Sequence, residues 1–254
     1  MFNTTHILYM VISAILSVAL FVVLSIKVKR LTTKELILKI SAISTVAIHF
    51  SSLWVDFLKN GEATIESNML FPIHPCNICM WLLLIVAFYK KREGIVYKTI
   101  SEFTFWAGTV CGSIGILLNE NFASNPTLAD YDVLKGLLSH STMIFGCIYL
   151  LVGGFIKIRA TNTISVAIGL CGFVVDGAII NALYSIFDLP PCNSMYLQEV
   201  PFAQMPWLNT VVIGVIAVLV TFLISALHEI INLPIEERWY SIIKSKATTK
   251  EKKS

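Results

Sequence analysis

The run MLFPIHPCNICMWLLLIVAFY, residues 69–89, decides the fold. From Met80 onward it is apolar and uncharged, and the whole run has the roughly 20 residues a helix needs to cross a hydrocarbon core. Its first half places His74, Cys76, Asn77 and Cys79 within six residues. Polar groups at membrane depth cost several kcal/mol unless they are used, so such a cluster marks a functional site by default.

The rest of the chain agrees with this reading. It has 254 residues, 56% hydrophobic and only 14% charged, where a soluble domain carries nearer a quarter charged. Seven stretches qualify as crossings, at about 7–26, 36–58, 69–89, 100–118, 133–156, 163–186 and 207–231. The expected fold is an all-α polytopic membrane protein with seven transmembrane helices. Residues 1–243 form a single membrane domain, and 244–254 a basic, disordered tail. No P-loop, Gly-rich dinucleotide turn or zincin motif occurs, and the basic tail gives little reason to expect a nucleic-acid partner.

Charge sets the orientation. All of the 19 Lys and Arg except Lys59 and Lys135 flank the end of the first stretch, the start of the second, the end of the third, the end of the fifth or the C-terminal tail. The positive-inside rule then puts the N-terminus outside and the C-terminus in the cytoplasm. The first stretch lacks a positively charged flank and a small-residue cleavage site, so it reads as a helix and not as a cleaved signal peptide.

With about 1.5 Å of rise per residue, the polar residues fall at similar depths. His74 and Cys76 lie roughly 8–11 Å below the outer boundary, His140 about 10 Å, His49 about 14 Å, Asn181 about 8 Å and Asp176 about 15 Å. The economical arrangement is one polar cavity open to the outer leaflet, because polar groups in lipid must find partners. Pro72 and Pro75 remove helical hydrogen bonds beside His74 and imply an irregular start to the third helix. Each residue also has a plainer reading. His49 is equally a hydrogen-bonded packing residue, Asn181 is equally helix-to-helix glue, and Cys111, Cys147 and Cys171 read as small apolar packers.

Three chemistries fit the cluster. Cys76 as nucleophile with His140 as base suits an acyltransferase or acyl hydrolase acting on membrane lipids, with His74, His49 or Asp176 orienting the base. Cys76 and Cys79 form a Cys-x-x-Cys unit, which suits a thiol-disulfide oxidoreductase. His74, Cys76, Cys79 and His140 are also possible metal ligands. A non-catalytic transporter or ligand-binding protein is the remaining alternative.

Phe71-Pro72-Ile73-His74-Pro75-Cys76-Asn77, Leu138-Ser139-His140, and Asn181-Ala182-Leu183 with Asn193-Ser194-Met195-Tyr196-Leu197 and Pro201 resemble the motifs of the YwaF/TMEM164 family of integral membrane proteins. The eukaryotic pattern has a histidine directly after the cysteine; this chain has Asn77 there. The resemblance implies seven helices and phospholipid acyl transfer, with catalytic Cys76 and His140. The resulting expectation is a plasma-membrane enzyme of bacterial type that acts on phospholipid donors and acceptors. His74 is a further catalytic residue, Asn77, His49, Asp176 and Asn181 bind or orient the substrate, and no metal or soluble cofactor is needed.

Overall fold

A computed structural model describes residues 3–63, 69, 71–119 and 127–251. These residues are helical, with no strand among them. The helices are α1 (Thr4–Lys27), α2 (Leu31–His49), α3 (Ser51–Asn60), α4 (Pro75–Phe88), α5 (Ile95–Leu117), α6 (Tyr131–Val152), α7 (Thr163–Ile186), α8 (Thr210–Asn232) and α9 (Trp239–Glu251). A single 3-10 turn, Ala160–Asn162, leads into α7.

Among the described residues, six segments are long and apolar enough to cross a membrane: Thr4–Lys27, Leu31–Asn60, Ile95–Leu117, Tyr131–Val152, Ala160–Ile186 and Thr210–Asn232. The expected third crossing differs. Its helix starts only at Pro75 and has 14 residues, about 21 Å against a core of about 30 Å. Pro72 and Pro75 are the cause: proline fits the first helical turn, where its missing N–H is not needed, but not the interior. The segment 244–251, expected as disordered tail, falls within α9.

Helix α5 is the centre of the bundle, packed by α4, α6 and α7. Three glycines on α5 let these neighbours approach. A side chain on Gly108 would meet Cys147 and Cys79, one on Gly112 would meet Ile144 and Met143, and one on Gly115 would meet His140. Spacings of four and three keep the three glycines close to one helix face, the small-residue packing that membrane helices use in place of a hydrophobic driving force. Helix α2 joins α6 through Ser41, whose hydroxyl donates to the Thr142 carbonyl at 2.9 Å. By contrast, α1 shows its apolar surface outward and is held at three points. His6 Nε2 bonds the Ile116 carbonyl at 2.8 Å, Tyr9 bonds Ser141 at 2.8 Å, and Phe21 stacks on Phe145 at 4.9 Å.

The basic termini converge at one end of the bundle. Lys34 Nζ donates to the Gly153 carbonyl at 3.0 Å, Arg92 pairs with Glu35 at 3.0 Å, and Arg159 pairs with Glu237 at 3.5 Å. Two buried carboxylates brace the same end. Glu229 accepts the Ala160 N–H at 2.8 Å and the Trp239 N–H at 2.6 Å, while Glu102 accepts from the Asn162 amide and from Ser165 Oγ. Both thus meet backbone or side-chain donors around the start of α7, where a negative charge complements the helix dipole.

Candidate functional site

The site is built where α4 begins. His74 has extended backbone and forms the N-cap of that helix. Asn77, 4% exposed, turns back one turn so that its Oδ1 accepts the His74 N–H at 3.2 Å. Its Nδ2 donates to His49 Nε2 at 3.4 Å, which ties α4 to the end of α2. His49 is available there because the span Leu31–Asn60 breaks at the next residue, Phe50. Ser51 Oγ donates to the Ile48 carbonyl at 2.5 Å and sits 2.5 Å from the Tyr131 hydroxyl. A serine that engages a carbonyl three residues back bends a helix, and the break places His49 at a helix end.

Cys76 occupies the second position of α4. The first N–H groups of a helix have no carbonyl partner four residues back and carry the positive end of the dipole. Cys76 stands among these groups in the first turn of α4.

His140 approaches from α6. Its Nδ1 lies 2.7 Å from the Gly136 carbonyl. A carbonyl only accepts, so Nδ1 carries the proton, and Nε2 in the neutral ring is the lone-pair nitrogen. The ring lies in the gap left by Gly115, where a Cβ would come within 2.3 Å of Nε2. His74 is near enough to His140 for the two to interact electrostatically. Cys76 is in the same relation to Cys111, four residues before Gly115 on α5.

Asn181 and Asp176 lie differently. Asn181 holds a loop: its Oδ1 accepts the Ser194 N–H at 2.9 Å and the Cys192 thiol at 3.3 Å, and its Nδ2 donates to the Ser194 carbonyl at 3.3 Å. Asp176 is half-buried, and its Oδ2 has no hydrogen-bond partner among the described residues.

The loop that Asn181 holds brings Tyr196, which the sequence motif contains but does not mark as a site residue. Met195 N–H and Ser194 Oγ both donate to the Ile73 carbonyl, at 3.0 and 3.2 Å. Thr210 Oγ1 reaches the Tyr196 carbonyl at 2.7 Å. Between these anchors Met195 and Tyr196 take φ of 53° and 54°, a left-handed backbone that costs non-glycine residues free energy and survives where the surroundings enforce it. The Tyr196 ring then lies 6.1 Å from the His74 ring. The same anchors satisfy the carbonyl of Ile73, just before α4, where no helix supplies a partner.

The cysteines take an arrangement that a Cys-x-x-Cys unit does not suggest. Cys79 is turned away from Cys76 towards Gly108 of α5, where it meets Cys147 of α6. Among the described residues, no three His, Cys, Asp or Glu side chains are placed to hold a metal ion.

A family model, the TMEM164 family, matches residues 1–234. No curated protein and no solved structure matches the chain.

Proposed function

The chain belongs to the TMEM164 family of membrane proteins, and from that premise we propose that it transfers or hydrolyses acyl groups on membrane lipids through Cys76 and His140. The observation that supports this reading is the Nδ1 bond of His140 to Gly136, which leaves Nε2 as the nitrogen that can take a proton. The Cys76 sulfur attacks the ester carbonyl and its proton passes to His140 Nε2. The lipid oxygen leaves with that proton, and the acyl group stays on sulfur as a thioester. A hydroxyl of an acceptor lipid, or of water, then attacks the thioester while His140 removes its proton, and the proton returns to the sulfur. In this reading His74 and Asn77 polarise the carbonyl, and His49 holds Asn77. None of these steps calls on a metal or soluble cofactor.

The same reading includes seven crossings. The short helix α4 completes the third together with the residues before it, and the loop 192–197 covers the non-helical backbone at 71–74, as membrane depth requires. The basic end faces the cytoplasm, which puts the N-terminus and the site towards the outer leaflet of a plasma membrane. Residues 1–243 act as one domain, followed by the basic tail 244–254.

The test is turnover. Protein reconstituted with acyl-labelled phospholipid should release lysolipid together with free fatty acid or a new acyl lipid, and Cys76→Ala should abolish that release. Unchanged lipids with wild-type protein, across donors and acceptors, would remove the enzyme reading.

A further inference from the structure

The loop between α7 and α8 is more elaborate than the cap it provides for α4. Asn193 organises it: its carbonyl accepts the Tyr196 N–H at 3.1 Å, and its Oδ1 accepts the N–H groups of Gln198 and Glu199 at 3.0 and 3.1 Å. Gly177 of α7 leaves the room it needs, since a Cβ there would come within 2.8 Å of the Met195 Cβ and 2.9 Å of Leu197 Cδ1. Thr210, the first residue of α8, holds the far side, its hydroxyl meeting the carbonyls of Met195 and Tyr196 at 3.2 and 2.7 Å. Satisfying the Ile73 carbonyl uses only Ser194 and Met195. The left-handed backbone nevertheless continues through Tyr196, whose ring ends 6.1 Å from the His74 ring, the planes tilted by 37°. That separation is within the range at which aromatic rings attract. Met195 is 2% exposed but Tyr196 is 37% exposed, so burial of its own ring does not account for the strain at Tyr196.

We propose that Tyr196 is a positioning residue for the acyl site: its ring is the wall that fixes the His74 imidazole where it polarises the ester carbonyl. This rests on the acyl-transfer reading of the site. His74 is exposed and stands at the N-cap of α4, in extended backbone. Its N–H bond to Asn77, at 3.2 Å, fixes the backbone there and not the ring. Exposed side chains change rotamer within nanoseconds, whereas a displacement of about 1 Å in a reacting site can cost about 10²-fold in rate. Tyr196 packs the imidazole from the loop side, and the anchors on Ile73, Gly177 and Thr210 hold Tyr196 there against the cost of its backbone. The ring face carries the role, so phenylalanine fills it.

The test measures kcat and KM in lipid nanodiscs, with an acyl-labelled phospholipid that the wild type turns over. Tyr196→Phe should match the wild type. Tyr196→Leu should lower kcat by roughly 10–100-fold at nearly unchanged KM. In a His74→Ala background Tyr196→Leu should cost nothing further, because its effect passes through that ring. A loss in Tyr196→Phe, wild-type kcat in Tyr196→Leu, a change in KM alone, or a loss that adds in full to that of His74→Ala would each overturn the assignment. If Tyr196→Leu does not fold, Tyr196→Phe and Thr210→Val decide. Thr210→Val removes the donor to the Tyr196 carbonyl and should lower kcat in the same way, again silently over His74→Ala; an unchanged kcat there overturns the role. Turnover indifferent to Tyr196→Leu removes this role alone, whereas no turnover by the wild type on any phospholipid removes the acyl reading and this role with it.

Discussion

His140 donates from Nδ1 to the carbonyl of Gly136 on its own helix, at 2.7 Å, and this bond leaves Nε2 as the lone-pair nitrogen of the neutral ring. The acceptor is one turn away on α6, so the tautomer is set by local backbone and not by a carboxylate partner. If Cys76 and His140 work as a unit, their losses should not add. Cys76→Ala and His140→Ala should each lower turnover by about the same factor, and the double variant should fall no further. The check is single-turnover kinetics of the two single variants and the double variant in one lipid.

Gly115→Ala tests the slot that holds the ring. Its added carbon would lie 2.3 Å from His140 Nε2 and 2.4 Å from Cδ2, so the imidazole must move. The expected result is a large loss of turnover with a folded protein, at a stability cost of about 1–3 kcal/mol, the usual range for overpacking. Activity assay and thermal melting on the same sample separate the two effects.

The seven apolar stretches and the clustering of Lys and Arg made most of the helices and the basic end legible, because both signals are local in sequence. The prolines also announced an irregular start for α4, and only its length, 14 residues, departs from a full crossing. What the sequence did not disclose depends on distant contacts. Asn181 looked equally like site polarity or glue until Ser194 was seen to take both ends of its amide. The break at Phe50 rests on Ser51 meeting Ile48 and Tyr131, which no periodicity encodes. Glu102 and Glu229 drew no notice, since their partners Asn162, Ser165, Ala160 and Trp239 lie on other segments. Cys111 and Cys147 read correctly as packed residues, but their meeting with Cys79 appears only once three helices are assembled.

Asn181→Leu should release the loop 192–197. It removes the acceptor of the Ser194 N–H and the donor to the Ser194 carbonyl, and each buried backbone group left unpaired costs about 1–3 kcal/mol. The left-handed backbone at Met195 and Tyr196 then loses an anchor, so the loop should become a protease cleavage site. Limited proteolysis of the detergent-solubilised protein, with mass mapping, checks this.

Glu229→Ala should lower stability without touching the site chemistry. It strands the N–H groups of Ala160 and Trp239, both bonded to a carboxylate, where such bonds contribute about 1.5–3 kcal/mol each. The expected outcome is a clear drop in melting temperature with residual turnover per folded molecule unchanged.

The most direct test of the central claim is to trap the acyl group on the protein. Reconstituted wild-type protein and Cys76→Ala are incubated with acyl-labelled phospholipid, denatured, and treated with neutral hydroxylamine. The account predicts hydroxylamine-labile label on the wild type, mapped to Cys76, and none on the variant. Equal label on both, or label on another residue, would contradict Cys76 as the nucleophile.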